Sequence, residues 1–163
     1  MDHYAEDYYI VKFKDENNLK YAIWYIDDED GFVSEHGKIL FFDCDKSLKE
    51  FCDNKKIIIT DEIPIVYDFG VLKKWLLSPD DKFNCSDMLD FWNIISDASK
   101  SIGAAFMGDD TDNEIVNQVY SKLFHGCNLP AINTSGKKYI PEWTQTEIDC
   151  LAEILSAYKV FWS

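Results

Sequence analysis

Carboxylates are the residues of this chain whose type and spacing could do chemistry. Asp27-Asp28-Glu29-Asp30 is an unbroken acidic run, Asp43 and Asp45 alternate, Asp80-Asp81 is a pair, and Asp109-Asp110 is followed by Asp112. Such groups can ligate a cation, share protons in acid–base catalysis, or present negative charge to a basic partner. Calcium is the first cation to test. An EF-hand loop needs alternating oxygen ligands with Gly at its sixth position and Glu at its twelfth. After Asp27 the glycine, Gly31, comes too early, and Asp109 to Glu114 has none at the required place. Zinc finds no second spaced ligand pair beside His125-Gly126-Cys127. Catalytic carboxylate pairs can be drawn at will from thirty acids, so they discriminate nothing. The three histidines (His3, His36, His125) and five cysteines show no local nucleophile signature, and no GxSxG elbow, P-loop or GxGxxG occurs. No metal, cofactor or catalytic residue is therefore expected.

Charge favours the third use. Thirty Asp and Glu face sixteen lysines and no arginine at all, a formal charge of −14 over 163 residues. That balance steers cationic partners toward the fold. Arg is the usual bidentate phosphate reader, so its absence argues against direct nucleic-acid or nucleotide binding. Each cluster also has a plain structural explanation, because solvated loops and helix N-termini favour carboxylates. Asp27, Asp28, Glu29 and Asp30 are the first candidates for partner binding, since four consecutive charges end a strand and leave a loop to project. Asp109, Asp110 and Asp112 come second. Tyr4, Tyr8, Tyr9, Trp24, Tyr25, Phe32, Trp75 and Trp162 are too many aromatics for one small core, and some are expected at an interface, although residue by residue core or cross-strand packing is favoured.

The elements that position these residues follow from periodicity. A single domain over 1–163 is expected, strand-rich over 1–68 and helix-rich over 69–163. Tyr8 to Lys14 and Lys20 to Ile26 read as a hairpin whose loop, Asp15-Glu16-Asn17-Asn18, exceeds two residues. Further strands are predicted at Lys38 to Phe42, Lys56 to Thr60 and Ile65 to Tyr67. A Ser47/Glu50 capping box predicts a short helix to Asp53 between strands. Val71 to Leu77 reads as a short helix stopped by Ser78-Pro79. From Ser86, helical spacing of Met88, Phe91, Trp92, Ile95 and Ile102 marks a buried face. Thr111/Glu114 predicts a cap for a helix burying Val116, Val119, Tyr120 and Leu123 and ending at Gly126. Thr144/Glu147, with Trp143 and Ile148 as a hydrophobic staple, opens the last helix, whose face continues through Leu151, Leu155 and Tyr158. Strands first and helices later predict an α+β fold, with C-terminal helices on a mainly antiparallel sheet of four to five strands.

Composition bounds the setting. Twenty-five aromatics in an acidic chain argue for a folded domain. No apolar run approaches the roughly 20 residues that span a bilayer, and the N-terminus lacks a secretion pattern. Cys44, Cys52, Cys85, Cys127 and Cys150 are odd in number and unpaired in spacing, as suits reduced thiols in a cytoplasmic protein without membrane contact.

Phe91-Trp92-Asn93 with Asp97, the segment Tyr120 to Pro130 (YSKLFHGCNLP), and Tyr139-Ile140-Pro141-Glu142-Trp143-Thr144 before Glu147 resemble immunity proteins of bacterial contact-dependent growth inhibition and related polymorphic toxin systems. The resemblance covers roughly the last 75 residues. It implies a cytoplasmic, non-enzymatic protein that binds and blocks one cognate toxin C-terminal domain. Pro130, Pro141, Trp143 and Trp92 would be architectural, and Asn93, Asp97 and Lys122 either a buried polar network or toxin contacts. Together with the charge, this leads to the expectation of an immunity protein neutralising a basic toxin, a nuclease in the first instance, as a monomer or weak dimer. The alternatives are an acidic DNA mimic that inhibits another nucleic-acid-binding protein, and a small intracellular enzyme.

Overall fold

The computed structural model describes residues 7–162; His3 and Tyr4 lie outside them. Among the described residues the order is β1 (Asp7–Asp15), β2 (Asn18–Ile26), β3 (Gly31–Phe32), β4 (Ser34–Glu35), β5 (Lys38–Ile39), α1 (Asp45–Lys55), β6 (Asp61–Asp68), α2 (Phe69–Leu77), α3 (Cys85–Ser101), α4 (Glu114–Gly126) and α5 (Gln145–Leu155). Short 3₁₀ turns cover Met107–Asp109 and Ser156–Phe161. The fold is α+β, as expected, with an N-terminal sheet and mostly C-terminal helices. The chain divides into two compact units. The first comprises the described part of Met1–Lys73 with Asp97–Ala104, and the second comprises Lys74–Ser96 with Ala105–Ser163.

In the first unit a four-stranded sheet runs in the order β3-β2-β1-β6. β1 and β2 are antiparallel from Asp7↔Ile26 to Asp15↔Asn18, so the hairpin loop is only Glu16-Asn17, shorter than the sequence suggests. Glu16 adopts φ 55° to close it. β6 pairs with β1 in parallel, which makes the sheet mixed. β1 is central and covered on both faces. Tyr8 and Ile10 join Ile23, Val33, Leu48 and Cys52 in one cluster, with α1 supplying the last two. On the other face Phe13, fully buried, packs its ring against Phe69 at 5.6 Å and Phe32 at 6.0 Å. Burying a side chain of that size is worth about 1.5–3 kcal/mol.

Several sequence expectations give way here. The strand predicted at Lys38 to Phe42 is a two-residue strand paired with β4 through a His36-Gly37 turn, both residues at positive φ. Leu40 and Phe42 then hydrogen-bond individually to Val33 and Tyr21. Lys56 to Thr60 is not a strand. Lys56 takes φ 58° to end α1, and the Ile57 amide reaches back to the Cys52 carbonyl at 2.8 Å. Ile57 and Ile59 satisfy their apolar character by packing on the core cluster, and the ladder begins only at β6. The Ser47/Glu50 box is replaced by Cys44 at the N-cap of α1, with no side-chain cap bond.

In the second unit α4 is capped by Asn113, whose side-chain oxygen accepts from the amides of Ile115 and Val116, and not by Thr111. Tyr120, expected inside, is 38% exposed, with its ring edge on Trp92. The Thr144/Glu147 capping box of α5 is formed as predicted. Between these helices, residues 127–144 hold their shape through side-chain bonds. Asn128, at φ 52°, donates to the Gly126 and Tyr139 carbonyls and accepts from the Tyr139 amide and Asn133. Asn133 in turn donates to the Lys137 carbonyl and accepts from Ser135. No described helix is long and apolar enough to cross a membrane.

Candidate functional site

Asp27 to Asp30 connect β2 to β3, whose last ladder pair before the turn is Tyr25↔Gly31. The flanking strands are each anchored to the end of α3. Trp24 donates its indole N–H to Asp97 Oδ2 at 2.9 Å, and the Phe32 amide donates to Ser101 Oγ at 2.8 Å. The Ser101 hydroxyl donates in turn to the Asp97 carbonyl at 2.8 Å, so the final turn of α3 clamps both strands. Gly31 is required by this closeness. A Cβ there would lie 2.6 Å from Tyr25 Oη and 3.0 Å from Ser101 Oγ.

The anchored turn presents Asp28 and Glu29 to solvent, while Asp27 and Asp30 are half-buried. Among the described residues neither Asp28 nor Glu29 has an ion-pair or hydrogen-bond partner. Their field is felt next door. Burial first, and then the charges of Asp27 and Glu29, push the Tyr25 phenol above its ordinary value. Fixed negative charge on a braced turn costs little ordering on association.

The second acidic group, Asp109, Asp110 and Asp112, belongs to the other compact unit and is spent differently. Asp109 accepts the Ser96 hydroxyl at 2.6 Å, and Asp110 accepts the Asp112 amide at 3.2 Å. Two of the three carboxylates are thus engaged within the fold, Asp109 by a side-chain hydroxyl and Asp110 by a backbone amide of the turn that leads to Asn113. Asp80 likewise accepts the Lys82 amide, and Asp45 lies 3.9 Å from Lys49.

The aromatics expected at an interface mostly pack inward. Tyr8 and Phe32 are buried, Tyr9 pairs across strands with Trp24 at 5.7 Å, and Tyr25, Trp75 and Trp162 are half-buried. Most of the exposed large apolar side chains among the described residues are aliphatic instead. Ile63 (75% exposed) and Val66 (54%) lie on the edge strand β6 among Asp61, Glu62 and Asp68. Pro64 was the available signal, since proline within a strand marks an edge.

Asn93 is exposed, Asp97 serves Trp24, and Lys122 pairs with Glu147 at 2.8 Å. The five cysteines are free thiols. Among the described residues no group of three or more His, Cys, Asp or Glu is arranged to hold a metal ion. No family model matches the chain, and no curated protein or solved structure is significantly similar to it.

Proposed function

We propose that this protein is an immunity protein that binds a basic toxin domain and neutralises it by protein–protein association, acting in the cytoplasm without catalysis of its own. The observation that carries the reading is the braced β2–β3 turn, with the carboxylates of Asp28 and Glu29 exposed and unpaired among the described residues, on a chain of charge −14. A toxin that grips phosphates with Lys and Arg offers the complementary surface, which is why a nuclease is the first partner class. The charge supplies association rate and partner choice, while a few desolvated contacts supply affinity.

Co-expression with the product of the neighbouring gene tests the proposal. The expected result is a one-to-one complex on co-purification and rescue of cells from the toxin. Failure of both, with the protein folded, overturns it. Turnover of a substrate by the purified protein would overturn the non-catalytic part.

A further inference from the structure

On a strongly acidic protein, one groove has a basic wall. The last turns of α4 and the 127–144 segment enclose an open groove of about 430 Å³. That volume falls in the range of about 300–1,000 Å³ typical of ligand sites. Lys137, His125, Tyr139, Leu129 and Ile132 all contribute to its lining. Lys122 also borders it, but its charge is spent on Glu147. Among the described residues the Lys137 ammonium has no ion-pair or hydrogen-bond partner.

His125 has an assigned orientation. Its Nδ1 lies 2.8 Å from the Ser121 carbonyl, and a carbonyl can only accept, so Nδ1 carries the proton. In the neutral ring Nε2 is then left as an acceptor. The helix C-terminus would ordinarily repel an anion. Here its last four carbonyls already accept hydrogen bonds, Leu123 from the Cys127 thiol, Phe124 and His125 from the Cys127 and Asn128 amides, and Gly126 from the Asn128 side chain. Leu129 and Ile132, about half exposed, form the apolar part. The asparagine bonds that shape residues 128–139 preform the groove before any ligand arrives.

A cation, an acceptor nitrogen and an aliphatic wall match one end of a polypeptide. We infer that this groove captures the C-terminal residue of a peptide chain whose last side chain is apolar. The terminal carboxylate meets Lys137, the last backbone N–H meets His125 Nε2, and the side chain lies on Leu129 and Ile132. The groove's openness favours a chain end over an enclosed small molecule, because the rest of the peptide can leave into solvent. This inference is independent of the toxin-binding role.

The test is a titration of the full-length protein with an acetylated Gly-Ala-Leu peptide bearing a free carboxylate, followed by amide and imidazole NMR shifts. The expected result is saturable shifts at His125 and around residues 137–139, with at least tenfold weaker binding of the C-terminally amidated peptide. Lys137→Gln should weaken the free acid similarly while leaving the melting temperature unchanged, since Lys137 is exposed. Equal binding of acid and amide, no shifts at all, or no effect of Lys137→Gln would overturn the inference. Acetyl-leucine carries the same carboxylate, amide N–H and side chain and should bind about as tightly as the peptide; its failure to bind would overturn the inference.

Discussion

Lys122 Nζ lies 2.8 Å from each carboxylate oxygen of Glu147, a residue only 1% exposed. The pair links α4 to the start of α5 and gathers the backbone between them. Lys122 also donates to the Glu142 carbonyl at 2.8 Å, and Glu147 accepts from Gln118 and from the Thr144 amide and hydroxyl. One carboxylate thus serves as capping-box partner, ion-pair partner and amide acceptor. Every lone-pair direction is used, which is the condition for a buried charge to be tolerated.

Truncating that carboxylate should be costly. Glu147→Ala leaves a largely buried ammonium unpaired and removes the cap, so a loss of about 2–4 kcal/mol is expected in urea unfolding. The pH dependence follows from the same contacts. Burial works to raise the Glu147 carboxyl, but hydrogen bonds from Lys122 and Thr144 outweigh it and hold the group below its ordinary value. The unfolded chain therefore takes up this proton first. The contribution is complete above the unfolded carboxyl value of about 4.3 and is lost as pH falls through the lower folded value. Glu147→Gln should flatten that acid limb of the stability profile.

Charge reversal of the β2–β3 turn should act on rate. Asp28→Lys with Asp30→Lys is expected to slow association with the proposed basic partner by roughly tenfold at low salt. The difference should largely vanish near 1 M salt, where the screening length is about 3 Å. Stopped-flow kinetics with a melting curve of the variant checks both. An unchanged rate, with no salt dependence in the parent, would remove the electrostatic argument.

Thiol reactivity should be uneven. A hydrogen bond from the Ser47 side chain, then the Ser47 backbone, lowers the exposed Cys44 thiol, whereas burial pushes Cys52 up to about 11. Iodoacetamide at neutral pH should label Cys44 faster than Cys52 by about tenfold or more. Peptide mass mapping over time reads the order directly, and equal rates would contradict it.

Lys56→Gly should stabilise the protein. Lys56 ends α1 at φ 58°, where a side chain crowds its own backbone and glycine does not. A gain of about 1 kcal/mol is expected in equilibrium unfolding. A loss would mean that the lysine side chain makes a compensating contact.

What the sequence determined by itself was local. The β-branched and aromatic runs Tyr8 to Lys14 and Lys20 to Ile26, on either side of a polar turn segment, set the central hairpin. Helical spacing from Met88 to Ile95 marked α3, and Thr144 with Glu147 marked the start of α5, because these signals lie within a few residues of one another. The acidic turn was legible for the same reason, as four consecutive carboxylates after an apolar strand. Tertiary structure decided everything that depended on distant partners. Ile57 to Ile59 and Ile65 to Val66 look alike as β-branched runs. Yet the first packs beside the core without a ladder, while the second becomes an edge strand parallel to β1, more than fifty residues away in sequence. Parallel pairing has no turn signal to announce it. The bracing of the acidic turn by Asp97 and Ser101 was equally hidden, because hydrogen bonds across about seventy residues leave no periodic trace. Only packing assigned Lys122 to Glu147 and left Lys137 exposed beside His125, since charge on a sequence carries no record of which charges are already paired.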